Sequence, residues 1–148
     1  MNADRKAKEM TNENRPPRRN VFRQEGFDLM GAAFEVYNIL GYGMAEEIYQ
    51  ESLEIELNLR NIPFVAKHEI IPYYKDRMLK KRYIPDLFVH NGIVVELKAC
   101  ASLLAEHEAQ LFNYMRITHQ PVGYLINFGT PDELQWKRIV LSEFASQD

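Results

Sequence analysis

Cysteine is nearly absent from this chain of 148 residues, with Cys100 as its one example. A single thiol excludes an intramolecular disulfide and is typical of a reducing compartment, so we expect a cytoplasmic protein in which Cys100 packs just past a strand. Apolar runs long enough to span a bilayer are also missing, and the first residues are charged from Asp4 onward. The sequence therefore predicts neither a membrane span nor a signal peptide.

A large excess of positive charge is missing as well, because 18 Lys and Arg stand against 21 Asp and Glu. Residues 1–20 hold six of the basic residues, three acids and almost nothing apolar, which predicts a disordered basic tail. Residues 21–148 are predicted to form a single domain with one core. Their acidic balance argues against a large basic groove for sequence-specific DNA binding, but not against a site that holds a metal cation.

Hydrophobic periodicity predicts an α/β fold in which helices flank a mixed sheet. The predicted helices cover 22–40, about 44–60 and 103–118, and the predicted strands cover 64–74, 79–89, 93–99, 121–128 and 134–141. Apolar residues on both sides of the second helix predict that it is sandwiched between the sheet and the first helix. They are Tyr49, Leu53 and Leu57 on one side and Ile48, Ile55 and Leu59 on the other.

Two adjacent predicted strands carry ionisable residues where a buried strand would carry apolar ones. The stretches are Tyr83 to Val89 and Ile93 to Lys98, and the interruptions are Asp86, Glu96 and Lys98. Such charges lose their hydration on burial, and pairing or a bound cation has to compensate for that loss. The functional centre is therefore predicted in this hairpin.

The length of the turn decides whether Asp86 and Glu96 can act together. A two-residue turn at Asn91-Gly92 would place their side chains on opposite faces of the sheet. A three-residue loop, with Gly92 in the left-handed conformation, places Asp86 directly opposite Glu96. We predict the three-residue loop, because it leaves one strand face wholly apolar and gathers the charges at the far end of the other.

Two facing carboxylates repel each other unless a cation lies between them or one of them binds a proton. Oxygen ligands of this kind suit Mg²⁺ or Mn²⁺, and Lys98 lies on the same side of its strand as Glu96. A solvated cross-strand ion-pair network of Asp86, Glu96 and Lys98 explains the spacing equally well. The residues alone leave both interpretations open.

Four ordered motifs resemble the GxxExxY family of the PD-(D/E)XK nuclease superfamily. Pro85-Asp86 followed by Glu96-Leu97-Lys98 is similar to the superfamily signature, and Gly43, Glu46 and Tyr49 match the motif in the family name. The segments 107–114 and 125–129 are also similar to that family. The resemblance covers residues 26–141 and implies a restriction-endonuclease-like core.

The resemblance implies roles for individual residues. Asp86, Glu96 and the carbonyl of Leu97 would hold Mg²⁺ or Mn²⁺, and Lys98 would be the catalytic lysine. Glu46 would complete the metal site, with Glu35 as the competing candidate. An acid in the first turn of a helix is also favoured by the helix dipole alone, which is sufficient to explain Glu46.

The third predicted helix carries a polar stripe that the resemblance places beside the metal. Gln110 and Tyr114 are four residues apart, and His107 lies on the same side. In the family such a Gln orients a ligand or water, and the Tyr braces the site. We expect His107 to be structural, and without the resemblance Tyr114 would be a core residue and Gln110 a surface residue.

The predicted function is metal-dependent hydrolysis of phosphodiester bonds in nucleic acid, with DNA favoured over RNA by the resemblance. The alternative is a non-catalytic module that binds nucleic acid or assembles with proteins and keeps the nuclease fold. No membrane partner is expected, and an exposed last strand could pair with a second copy to form a homodimer.

Overall fold

The computed structural model describes residues 21–145, so the tail predicted over 1–20 lies outside the described residues. The helices are α1 Arg23–Leu40, α2 Glu46–Leu59, α3 Ala105–Thr118 and the short α4 Ser142–Ala145. The strands are β1 Phe64–Ala66, β2 Tyr73–Tyr74, β3 Arg77–Met78, β4 Leu87–Val89, β5 Ile93–Lys98, β6 Val122–Asn127 and β7 Gln135–Val140. No helix in the described part of the chain is both long and apolar enough to cross a membrane.

The main sheet is mixed, as predicted. Its five strands lie in the order β1-β4-β5-β6-β7. Only β5 and β6 run parallel, and the other neighbours in this sheet are antiparallel. Parallel neighbours need a crossover connection, and α3 supplies it between β5 and β6. The crossover leaves the end of β5 and the start of α3 close together at one edge.

Two apolar layers cover the two faces of this sheet. The first layer joins α1 and α2 to the sheet residues Leu87, Val89, Ile93, Val95 and Leu97. The second layer packs Leu111 and Met115 of α3 against Val94 and Leu125. The alternation along β5 thus sends odd-numbered residues to the first layer and even-numbered residues to the second. Glu96 and Lys98 consequently lie on the α3 side.

The loop between β4 and β5 has the predicted length, but Gly92 does not have the predicted left-handed conformation. Val89 pairs with Ile93, which leaves three residues in the loop. The left-handed residues are His90 and Asn91, with φ of 53° and 55°, and Gly92 does not have a positive φ. A Cβ at Gly92 would lie 2.3 Å from the Phe22 ring, so close packing requires the glycine.

Two predictions about the strands were wrong. The region 64–74 forms the three-residue β1 and then contributes β2 to the separate β2–β3 hairpin, and a bridge between Ile70 and Tyr83 joins this region to the segment before β4. The strand predicted over 79–89 is reduced to β4. Pro72 and Pro85 have no backbone N–H to donate to a strand ladder, which shortens the strands predicted over 64–74 and 79–89.

The prediction that α2 is sandwiched was also wrong. Its Tyr49, Leu53 and Leu57 side is fully buried. The opposite side is exposed, with Ile48, Ile55 and Leu59 at 45%, 54% and 71%. Helix α1 packs beside α2 on the same sheet face rather than above it, so one apolar stripe of α2 remains at the surface of the described domain.

Candidate active site

A polar cleft of about 340 Å³ opens at the end of β5, between that strand, α3 and the segment that precedes β4. Among its lining residues are Glu96, Lys98, Tyr83, Gln110 and Tyr114. The sheet supplies the carboxylate and the ammonium group, and α3 supplies the amide and the second phenol. The structure therefore brings four of the predicted site residues into one cleft.

Asp86 is held beside this cleft, directly before the first residue of β4. Its side chain is buried, and its Oδ2 accepts a hydrogen bond of 2.8 Å from the backbone N–H of Leu97. Pro85 precedes it and, lacking an N–H, cannot extend the pairing with β5. The bond to Leu97 fixes Asp86 against the strand that carries Glu96 and Lys98.

Glu96 is positioned by an aromatic pair. The hydroxyl of Tyr83 donates a hydrogen bond of 2.9 Å to Glu96 Oε1. The Tyr83 ring stacks on Tyr114 at 4.1 Å with an interplanar angle of 5°. Burial first, and then the charge of Asp86, raise the pKa of Glu96 to about 7. Asp86 is therefore near enough for its charge to oppose the ionisation of Glu96.

The segment with the Gly43, Glu46 and Tyr49 spacing has a clear local structure. Gly43 has a φ of 98°, which glycine adopts without strain. Tyr49, one turn into α2, donates a hydrogen bond of 2.6 Å to the carbonyl of Gly41 and accepts one of 3.2 Å from the N–H of Met44. This tyrosine thus fastens the loop that delivers Glu46 as the first residue of α2.

Glu46 lies within electrostatic reach of the site residues, and Glu35 is not among the groups that act on them. Burial first, and then the charge of Asp86, raise the pKa of Glu46, while Lys98 and Lys67 act in the opposite direction. Neither glutamate lines the cleft itself, and Glu35 lies in the middle of α1. Of the two candidates, the structure places Glu46 near Asp86.

Lys98 extends into the cleft two residues after Glu96, on the same side of β5. Its charge lowers the pKa of both Glu96 and Glu46. Within residues 21–145 it makes no ion pair at 4 Å or closer. The ammonium group is therefore available to an anionic ligand in the cleft.

The polar stripe of α3 divides into two parts. His107 accepts a hydrogen bond of 3.1 Å from the N–H of Leu104 through Nδ1, which caps the start of the helix. This is the structural role expected for His107. Gln110 and Tyr114 face the cleft one and two turns later. Tyr114 is held there by its stack on Tyr83, and Gln110 and His107 also line the cleft.

Sequence reasoning missed three residues that hold Asp86 and Glu96. Gln50 Nε2 donates a hydrogen bond of 3.0 Å to the carbonyl of Asp86, and Lys67 Nζ forms an ion pair with Asp86 Oδ1. Tyr83 is the third. Gln50 lies four residues after Glu46 on one helix side, a spacing that could have indicated it. The position of Lys67 depends on a bend after β1, for which no sequence pattern gives a signal.

In the described residues, no group of three His, Cys, Asp or Glu side chains is arranged to hold a metal ion. The carboxylates of Asp86 and Glu96 nevertheless suit a hard divalent cation, because Asp86 is buried and its charge disfavours the ionisation of the partly buried Glu96. Asp86 already pairs with a cationic group, because the ammonium group of Lys67 contacts its Oδ1. The donor chemistry therefore fits Mg²⁺ or Mn²⁺.

A larger cavity of about 670 Å³ lies on the opposite side of the sheet. It is lined mainly by apolar residues of α1, β6 and β7, including Phe27, Phe34 and Trp136, and it contains no carboxylate. Phe27 and Phe34 thus lie on the outer side of α1 rather than in the core. Without acid or nucleophile, this cavity offers no hydrolytic chemistry, so the smaller polar cleft is the candidate site.

Comparison with known proteins agrees with this architecture. The family model described as the PD-(D/E)XK nuclease superfamily matches residues 23–139. Among solved structures, the crystal structure of SSO0001 is similar at a TM-score of 0.51 and 22% identity, over 86% of this chain and 66% of that one. At this identity the likeness shows the fold alone, and the chain spans slightly less than two thirds of SSO0001. No curated protein matches the sequence. Because the family model covers most of the chain, the protein belongs to the PD-(D/E)XK nuclease superfamily.

Proposed function

We propose that this protein is a Mg²⁺- or Mn²⁺-dependent nuclease that hydrolyses phosphodiester bonds in nucleic acid, with DNA as the favoured substrate. The observation that carries the proposal is the placement of Glu96 and Lys98 side by side in the cleft, with Asp86 fixed against the same strand. A carboxylate pair can hold the cation of metal-assisted hydrolysis, and a neighbouring lysine can stabilise negative charge on the phosphate.

Asp86 and Glu96, with the carbonyl of Leu97 and the carboxylate of Glu46, would hold the metal. When bound, the ion would lower the pKa of an attacking water and polarise the scissile phosphate. Asp86 keeps its orientation through the Leu97 N–H, and Glu96 keeps its orientation through the Tyr83 hydroxyl. These bonds hold two oxygen ligands in fixed positions before substrate arrives.

Lys98 and the α3 residues act on the substrate. The Lys98 ammonium group stabilises the negative charge that develops on the phosphate, or holds the attacking water for deprotonation. Gln110 faces the same cleft and orients a water or a ligand oxygen through its amide. Tyr114 braces the site through its stack on Tyr83.

A cleavage assay tests the proposal on supercoiled plasmid, single-stranded DNA and RNA, with Mg²⁺, Mn²⁺ or a chelator present. Wild type should cleave at least one substrate with metal and none with chelator. Lys98→Met should lose cleavage, whereas the matched Lys75→Met, in the exposed β2–β3 turn, should cleave like wild type. Equal activity of wild type and Lys98→Met would reject the proposed centre.

A non-catalytic binding module is the second candidate, and the ion pair of Lys67 with Asp86 favours it. This pair gives Asp86 a positive partner without any metal. The module predicts nucleic-acid or protein binding that persists in chelator and is insensitive to Asp86→Asn. Binding that requires metal and is lost in Asp86→Asn would exclude it.

A further inference from the structure

Lys67 contacts Asp86 through both its backbone and its side chain. Its N–H donates a hydrogen bond of 3.3 Å to the Asp86 carbonyl, and its Nζ pairs with Asp86 Oδ1. The residue directly follows β1 and has a φ of 54°, a left-handed conformation that is uncommon for lysine. The chain therefore bends at the point that brings this ammonium group to the buried carboxylate.

The ammonium group of Lys67 pairs with Asp86, one of the carboxylates that would hold the metal. The Lys67 side chain is 58% exposed, in contrast to 12% for Asp86. The Lys67 ammonium group can thus move from Asp86 into solvent while the Asp86 carboxylate stays in place.

We propose that Lys67 is an internal cation that competes with the divalent metal for Asp86, and that it thereby sets the metal affinity of the site. The inference rests on the proposed metal-dependent function and adds a residue that no resemblance or comparison assigns. In the metal-free protein, Lys67 neutralises part of the carboxylate charge. In the metal-bound protein, Lys67 is displaced, because two cations close to one oxygen repel each other.

The competition has a modest size. A partly exposed ion pair contributes up to about 1 kcal/mol, which corresponds to about a fivefold change in a dissociation constant. The ammonium head is a point charge on a flexible stem, so it can exchange between Asp86 and water. Removing it should therefore tighten metal binding by about fivefold.

The first experiment measures Mn²⁺ binding by calorimetry in the absence of nucleic acid. Lys67→Met should bind Mn²⁺ about fivefold more tightly than wild type. Lys81→Met removes a positive charge at the rim of the same cleft, where the side chain makes no ion pair with Asp86. This control should change the affinity much less, which separates direct competition from a general effect of charge.

The second experiment uses the wild-type protein, so it does not depend on the folding of a variant. Amine acetylation is followed by mass spectrometry with and without Mg²⁺, and exposed Lys75 serves as the internal reference. Because an ammonium group paired with Asp86 is withheld from the reagent, its release by saturating Mg²⁺ should raise the labelling rate of Lys67 about fivefold relative to Lys75.

The outcomes distinguish this inference from the proposed function. Mn²⁺ binding of equal strength in wild type and Lys67→Met, or labelling of Lys67 that metal leaves unchanged or lowers, would overturn the competition and leave the metal site standing. The absence of Mn²⁺ binding in both proteins at millimolar concentration would overturn both proposals. Tighter binding in Lys67→Met together with metal-enhanced labelling would support both.

Discussion

At the scale of single residues, the candidate site is indicated by polar side chains at strand positions where apolar side chains are expected. The sequence was sufficient to predict that Glu96 and Lys98 share one side of β5 and that the loop has three residues, because strand alternation fixes which side each residue faces. Asp86 lies beside their cleft, where it is bonded to the Leu97 N–H, and does not line it. Lys67 and Tyr83 could not be predicted in the same way. Their contacts depend on irregular backbone between β1 and β4, where no periodicity exists.

The raised pKa of Glu96 makes the stability of the metal-free protein depend on pH. Because its pKa rises from an ordinary value of 4.5 to about 7 in the fold, the contribution is complete below about pH 4.5 and is lost as the pH rises through 7. In chelator, Glu96→Gln should therefore gain stability over wild type between pH 5 and pH 8, by on the order of 1–3 kcal/mol. Urea unfolding at the two pH values measures this difference.

Glu51→Gln is the matched control for this pH prediction, since Glu51 is exposed on α2. Its stability relative to wild type should be the same at both pH values. Mg²⁺ added at pH 8 should stabilise wild type and not Glu96→Gln. A difference for Glu96→Gln that is constant from pH 5 to pH 8 would contradict the shifted pKa.

At the scale of elements, the helices followed the sequence closely and the first strands did not. Helices α1, α2 and α3 were predicted within two residues at each end, because long apolar periods and Gly or Pro boundaries define them. The region 64–89 was predicted as two long strands, over 64–74 and 79–89, and contains only short ones. Its aromatic and β-branched composition indicates strand, but proline and tertiary packing decide the pairing.

The loop before α2 yields a prediction about Tyr49. Tyr49→Phe keeps the ring stacked on Phe128 at 4.6 Å but removes both hydrogen bonds to the loop. Unfolding in urea should show a loss of about 1–2 kcal/mol, and cleavage should slow because Glu46 is less well placed. Tyr74→Phe, at an exposed position, should change neither quantity. Full stability and activity in Tyr49→Phe would show that the loop needs no such fastening.

Gly92, in the loop between β4 and β5, packs closely against the Phe22 ring. Gly92→Ala should lower the free energy of unfolding by about 1–3 kcal/mol, because its Cβ would collide with the Phe22 ring. Phe22→Leu in the same chain should recover part of that loss, since the two residues are in contact. Thermal unfolding of the single and double variants measures the coupling. No recovery in the double variant would point to backbone conformation rather than packing.

At the scale of the whole molecule, residues 1–20 carry a net positive charge and residues 21–148 carry a net negative charge. Residues 1–20 hold six of the 18 basic residues, so the remainder is more acidic than the full chain. Deleting residues 1–20 should leave the thermal midpoint unchanged and should weaken nucleic-acid binding mainly at low salt. Binding measured at two salt concentrations tests this. A lowered thermal midpoint would show that these residues belong to the folded domain.

The edges of the five-stranded sheet bear on assembly of the whole molecule. Strand β7 is an edge strand, as a homodimer through strand pairing requires. It also carries Lys137 and Arg138, and charged side chains at an edge oppose pairing with a second copy. The homodimer stays a prediction, and sedimentation of the full chain at several concentrations tests it.

We propose that Asp86 is part of a metal-dependent hydrolytic centre. The most direct measurement is the single-turnover rate of cleavage of a nucleic acid at saturating Mg²⁺, compared between Asp86→Asn and Asp28→Asn. Asp28 lies on α1, where it pairs with Gln24. We expect Asp86→Asn to slow cleavage by at least about 100-fold and Asp28→Asn to cleave like wild type. Cleavage by Asp86→Asn at the wild-type rate would contradict the claim.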